Sequence, residues 1–246
     1  MPHSPGRDGS TASPHPPGST GWWADRDRLA ARRRPRPGGL STERIVQAAI
    51  EVLNDGGSAA LTVRAVAERL DTSSGALYQH IASREELIVL VTDHYFGQVR
   101  IQPRGPDWRA GVEDLMREMR RILLGAPLPP SASTDKALWG PNTLRIVDAA
   151  LGLFLDAGLP ADQATYATAA IIDLVLGAVA IQRGNGGRGP EGAPDSNELG
   201  TFLEALPQDR YQALRTAGAA FLAASADDDF TQGMALLLDG VTSRLP

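Results

Sequence analysis

Cysteine is absent from the 246 residues, which excludes a disulfide scaffold, a thiolate metal site and a cysteine nucleophile. Lysine is nearly absent: Lys136 is the one lysine among 24 basic residues, a bias that reflects coding base composition more than chemistry. There is no excess of positive charge either. The 24 basic residues face 29 acidic ones for a net charge of −5, so any contact with nucleic acid must come from a local patch. A long apolar run is also missing: the most apolar stretch, 167–181, is 15 residues long with Asp173 inside it, too short to cross a bilayer. The N-terminus carries no apolar stretch of signal-peptide type. These features predict a cytoplasmic protein of ample length to bury a core, with no membrane partner. The four histidines include His3 and His15 near the N-terminus and give no metal-ligand spacing, so neither metal nor cofactor is expected.

Residues 1–39 stand apart, because 13 of the 39 are Gly or Pro and few are aliphatic; the composition predicts a disordered segment. Its charge is uneven. Arg28, Arg32, Arg33, Arg34 and Arg36 fall within nine residues, and 1–40 holds seven Arg against three Asp, or +4. This is a basic arm. The Trp22–Trp23 pair within it is either an anchor on the protein body or incidental.

From residue 40 the apolar spacing is helical. Ser41 caps a helix with Ile45, Ala48, Ala49, Val52 and Leu53 on one face, and Asp55, Gly56 and Gly57 end it. Thr62 caps a second, burying Val63, Val66, Ala67 and Leu70. After a turn at 71–73, residues 74–81 make a short helix with Leu77 and Ile81 inward, completing a helix-turn-helix. Ser83 caps a long helix in which Glu85 and Glu86 favour the positive N-terminal end. Beyond Pro106 the periodicity predicts helices over 108–124, 142–157, 161–183, 198–224 and 230–244, with loops over 125–141 and 184–200. The fold class is all-α.

The run over 40–87, with Ile45, Ala48, Ala49 and Leu53, then Leu61, Thr62, Arg64, Val66 and Ala67, then Gly75, Leu77, Tyr78 and His80, and finally Ser83, Arg84 and Leu87, resembles the N-terminal domain of the TetR (tetracycline-repressor-like) family. Further on, Gly105, Pro106, Asp107, Trp108 and Arg109, with Trp139, Gly140, Pro141 and Asn142, resemble antibiotic-responsive members of the actinobacterial type. Asp71 and Thr72 depart from the usual glycine and aliphatic residue of its turn. The resemblance implies a DNA-binding domain over 40–83 and a ligand-binding and dimerisation domain over 84–246. It implies that Ser74, Gly75, Ala76, Tyr78, Gln79 and His80 face the major groove of an operator. The chemistry agrees, since Gln79 suits adenine, Ala76 suits a thymine methyl, and small residues allow close approach. Arg64 suits a guanine or a phosphate; Arg44, Tyr78 and Arg84 suit phosphates. Residues 41–98 hold four basic and eight acidic side chains, or −4. The basic arm would offset this from the minor groove.

The resemblance also implies a homodimer formed by the last two long helices around a small-molecule pocket. Candidates to line that pocket are His94, Trp108, Met116, Met119, Trp139, Asn142, Arg145, Phe154, Tyr166 and Asp173, a set that suits a flat, partly apolar effector. Asp173, inside an apolar helix, calls for a partner or a cavity, and Arg145 is one possible partner. The function expected is a ligand-responsive repressor of a palindromic operator and not an enzyme. The alternatives are a helical small-molecule binding protein without operator recognition, or an activator of the same fold. Gly184, Gly186 and Gly189 match G-x-G-x-x-G but follow a helix rather than a strand. Ser133 and Lys136 match S-x-x-K without the companion motifs. Both are chance matches, and Asp227, Asp228 and Asp229 are explained by helix capping.

Overall fold

The computed structural model describes residues 13–32, 39–129, 139–184, 196–223 and 225–246. Among them every regular element is a helix: α1 (Thr20–Arg32), α2 (Thr42–Ala60), α3 (Val63–Arg69), α4 (Ser74–Tyr78), α5 (Arg84–Gly97), α6 (Trp108–Gly125), α7 (Pro141–Asp156), α8 (Ala161–Gly184), α9 (Ser196–Ala205), α10 (Gln212–Ala223) and α11 (Ala226–Thr242). The chain forms two compact units, one from 1–100 with 125–148, the other from 101–124 with 149–246.

In the first unit, α2, α3 and α5 begin where polar side chains cap them. Ser41 accepts from the Arg44 N–H, Thr62 from Ala65 and Ser83 from Glu86, each satisfying an N–H that has no partner within its helix. Ile45, Ala49, Leu53, Leu61, Val66, Leu77, Ile81 and Leu87 are fully or almost fully buried and make the core of the head. Gly57, at φ 67°, breaks the helical path of α2, as the Asp55-Gly56-Gly57 run predicts.

The turn between α3 and α4 ends α3 as glycine-terminated helices end. The Thr72 N–H donates to the Ala67 carbonyl at 3.0 Å and the Asp71 N–H to Glu68 at 3.2 Å, a Schellman pattern. Asp71 occupies the left-handed position at φ 49°, where a side chain is strained. Asp71→Gly is therefore expected to raise stability by a few tenths to about 1 kcal/mol, measured by urea denaturation; a loss would show that the aspartate side chain supports the turn.

The expectation of a disordered segment over 1–39 is corrected at 20–32, where α1 forms; 1–12 and 33–38 lie outside the described residues. Trp22 is 1% exposed, and its indole N–H donates to Glu86 Oε1 at 3.0 Å. Burying one large aromatic ring offsets the poor helix composition around it. Of the two readings of the tryptophan pair, Trp22 is the anchor.

In the second unit, α8 packs on α11 and α9 on α10. Arginines of α6 reach α11: Arg109 pairs with Asp239 at 2.8 Å and Arg120 with Asp227 at 2.6 Å, while Arg120 also lies 4.8 Å over the Phe230 ring. Asp228 and Ser225 form a reciprocal capping box on α11, so the acidic trio is spent on capping and pairing. Two helical expectations change. The helix predicted over 198–224 is two helices, because Pro207 cannot donate to a helical ladder and its carbonyl instead accepts from Arg210 and Tyr211. The loop predicted over 184–200 is already helical from Ser196. The stretch judged too short for a bilayer belongs to a 24-residue helix, α8, which is long and apolar enough to cross one by length and composition alone. Its Ala164, Ala167, Thr168, Ile171, Val175 and Val179 are buried against protein instead.

Candidate functional site

The candidate reading head is α3, α4 and the turn between them. Helix α4 is one short segment capped by Ser73, whose hydroxyl accepts from the Ala76 N–H. Leu77 and Ile81 are both 1% exposed and turn one side of 74–81 into the core. That places Gly75, Tyr78 and Gln79 outward, Tyr78 at 52% exposure, while Ser74, Ala76 and His80 are half-buried. The exposed side is therefore built of a glycine, an aromatic hydroxyl and an amide, a surface able to approach and hydrogen-bond base edges or phosphates.

The arginines of the head are already engaged with protein. Arg64, on α3, pairs with Glu68 at 2.8 Å, one turn on, and both are exposed. Arg69 holds Glu51 at 3.2 Å and also Asp55. Arg84 donates to the Leu61 carbonyl at 2.7 Å and to Ser58 at 2.9 Å, so it satisfies the end of the α2–α3 connection. Arg44 donates to the Gly39 carbonyl at 3.0 Å and is exposed. An exposed Arg64–Glu68 pair exchanges readily for a phosphate, because solvent screens its attraction; Arg84 would have to give up two carbonyls.

In the arm, Arg28 pairs with Asp25 at 2.7 Å and is largely exposed. Arg32 ends α1. Arg33, Arg34 and Arg36 lie outside the described residues, as do Ser133, Lys136, Gly186 and Gly189. The sequence did not single out Arg26 or Asp93 and gave Glu86 only a role at its own helix end, yet each joins separate elements. The one signal for Asp93 was an acid just beyond the apolar run 87–91, with Asn142 at the start of a distant helix.

Asp93 is 5% exposed. Its Oδ1 accepts from the backbone N–H groups of Asn142 at 3.1 Å and Thr143 at 3.3 Å, and Oδ2 accepts from the Asn142 side-chain amide at 2.9 Å. A side chain of α5 thus caps α7. Burial nevertheless pushes the Asp93 carboxyl above the usual carboxylate value, with the three hydrogen bonds and His94 pulling it back only in part. A Cβ on residue 140 would overlap Asp93, so glycine is needed at that point. Arg145, one turn into α7, returns the contact: its Nη2 donates to the carbonyls of Phe96, Gly97 and Val99 at 3.2, 3.3 and 2.9 Å.

The residues expected to line a ligand pocket fall into two groups. In the first unit are His94, half-buried with its ring 6.2 Å from Tyr95, Trp139, 51% exposed, and Asn142 and Arg145, engaged as above. In the second are Trp108 and Phe154, ring centroids 5.9 Å apart, and the buried Met116 and Met119. Tyr166 is 73% exposed, and Asp173 lies on the exposed side of α8, while the Arg145 guanidinium donates to carbonyls rather than to Asp173. Both sit on α8 with the exposed Ile181, in a helix apolar on both faces.

Comparison with known proteins agrees with this architecture. Residues 45–91 match the family described as "Bacterial regulatory proteins, tetR family" and residues 102–245 the "Tetracyclin repressor-like, C-terminal domain". The chain is 32% identical over 144 residues to an HTH-type transcriptional regulator of Saccharopolyspora erythraea, a match that spans 58% of this chain and 61% of that protein. It is 30% identical over 212 residues to the tetracycline repressor protein class A from transposon 1721 of Escherichia coli, over 83% of this chain and 92% of the repressor. Among solved structures it is similar to ActR of Streptomyces coelicolor, with a TM-score of 0.74 and 25% identity to the apo form over 85% of this chain and 97% of ActR. ActR in complex with actinorhodin gives 0.73 and 25%, over 84% and 97%. These relatives are regulators and repressors, not enzymes, and the chain belongs to the TetR family of bacterial transcriptional regulators.

Proposed function

We propose that the chain is a cytoplasmic repressor that binds a palindromic operator as a homodimer and releases it when a small, partly apolar, antibiotic-like molecule binds its C-terminal region. The observation that carries this reading is the short helix α4, with Leu77 and Ile81 buried and Gly75, Tyr78 and Gln79 turned out. The likeness to ActR, solved with actinorhodin, supports an effector of that general kind. Exposed Tyr166 and Ile181 on α8 and Leu236 on α11 offer a second copy an apolar surface. In this reading the dimer surface includes α8 together with α11, the last helix, while Leu203, Met234 and Leu238 are buried within the protomer. Helix α5 links the two events: Ser83 and Arg84 hold it to the head, and Asp93 ties its other end to α7. To turn a 99:1 preference for the operator-bound form into 1:99, the effector must favour the released form by about 5.5 kcal/mol.

The test is an electrophoretic shift with the DNA flanking the chain's own gene, across a salt series. A discrete, competitor-resistant complex supports the repressor; diffuse, salt-labile binding favours a ligand-binding protein without operator recognition. Truncation at residue 39 would remove α1 together with the arm, so the arm is tested by Arg33→Ala, Arg34→Ala and Arg36→Ala combined. The log-log salt slope should fall by roughly 0.9 for each phosphate that the arm no longer neutralises. An unchanged slope would remove the arm from the interface.

A further inference from the structure

Helix α1 meets four elements of its unit. The Trp22 indole N–H donates to Glu86 Oε1 at 3.0 Å in the first turn of α5. Arg26 donates from Nη2 to Thr42 Oγ1 at 3.2 Å, at the start of α2, and from Nη1 to the His80 carbonyl at 3.4 Å, just beyond α4. The same guanidinium lies 3.9 Å from Glu86 Oε2 and 4.9 Å over the Trp22 ring. Glu86 Oε2 also accepts from the Ala82 N–H at 2.9 Å, in the α4–α5 turn. Trp23 reaches the fourth element, its ring edge 3.0 Å from where a Cβ on Gly140 would stand, at the entrance to α7.

We propose that α1 is a brace for the reading head, with Trp22, Arg26 and Glu86 as positioning residues that set the angle between α4 and α5. Operator affinity then depends on side chains that touch no DNA. This rests on the operator-binding reading above. With five residues, α4 has too few internal hydrogen bonds to fix its own direction. Its orientation comes from Leu77 and Ile81 on one side and from a donor to the chain just beyond it, since the Ala76 and Leu77 carbonyls are already taken by the N–H groups of Gln79, His80 and Ile81. Arg26 supplies that donor at His80 and is itself held by the carboxylate that binds Trp22. Base readout needs contacts held to within a fraction of an ångström, so a looser α4 loses specific contacts before general phosphate attraction.

The experiment compares the full chain with Trp22→Phe, Glu86→Gln and the double variant, below the melting temperature of each. Affinities for operator and random duplex are read by fluorescence anisotropy at several salt concentrations, and backbone hydrogen exchange is read over 80–90. Trp22→Phe keeps an aromatic ring and removes the N–H. Each single variant is expected to bind operator about tenfold more weakly, with random-duplex binding and salt slope unchanged. The double variant should be no weaker than the weaker single one, and exchange at 82–86 should be faster. Faster exchange with operator affinity intact would make α1 a stabilising element only; a shallower salt slope would make it a phosphate contact. Either overturns the brace. If the wild-type chain finds no operator, the repressor reading fails by itself, and unchanged exchange over 80–90 in Trp22→Phe would overturn the brace independently.

Discussion

Alanine in place of Trp22 is expected to lower the unfolding free energy by about 3–5 kcal/mol, the range for emptying a fully buried aromatic site. The ring is 1% exposed and carries three functions in one place. It fills the space between α1 and α5, its N–H occupies one oxygen of a buried carboxylate, and its face receives Arg26. Removing it leaves a cavity and an under-satisfied Glu86, and both act in the same direction. Urea denaturation checks this: the midpoint should fall with the slope nearly unchanged if α1 stays docked, whereas a reduced slope would show that 20–32 has left the fold and buries no surface. A loss under about 1 kcal/mol, small for a core aromatic, would mean that α1 contributes little to the folded state.

Asp93→Ala should cost about 2–4 kcal/mol, because three donors at the start of α7 lose a charged acceptor together and two of them are backbone groups with no helical alternative. Asp93→Asn separates shape from charge, since it keeps the size but aims an amide at donors. The pH dependence has a definite sign. Burial raises the Asp93 carboxyl above its ordinary value of 3.8, so the folded chain binds this proton more tightly than the unfolded chain does. Its share of stability is then fully present below 3.8 and is lost as pH rises through the raised value. Glu43, lowered by hydrogen bonds to its own backbone N–H and to Ser41, acts oppositely, its share being lost as pH falls. The difference in stability between wild type and Asp93→Asn cancels Glu43 and should widen from neutral pH downward, as read by thermal melts. A difference that narrows would show that the three hydrogen bonds outweigh burial.

Much of the head was legible because capping is local chemistry. Ser41, Thr62 and Ser83 each find their acceptor role within three residues, and the alternation of buried and exposed positions over 74–81 follows from Leu77 and Ile81 alone. Helix α1 was illegible for the opposite reason. Its stability comes from Glu86, 64 residues away, and no window around 20–32 contains that partner. The exposure of Asp173 was not legible, because α8 is apolar on both sides and its exposed side looks like a core face until the packing against α11 is known. Pro207 stands between two apolar runs of helical spacing, and periodicity alone joins them across it. Arginine roles were the least readable. Arg84 and Arg145 have the composition of anion-binding residues, but backbone carbonyls compete for a guanidinium as well as phosphates or ligands do, and only coordinates show which partner is in reach.

The exchange between α5 and α7 has a mechanical meaning. An acid from the first helix fastens the beginning of the second, and a base from the second fastens the end of the first. Two such rivets, three residues apart along α7 and about 4.5 Å along its axis by the helical rise, remove both sliding and hinging as cheap motions. A displacement of the α7 start by a single residue step, about 1.5 Å, would have to carry α5 with it or break every bond in both fastenings. The joint is therefore rigid in translation, and whatever moves α7 at this point moves the helix that carries the reading head.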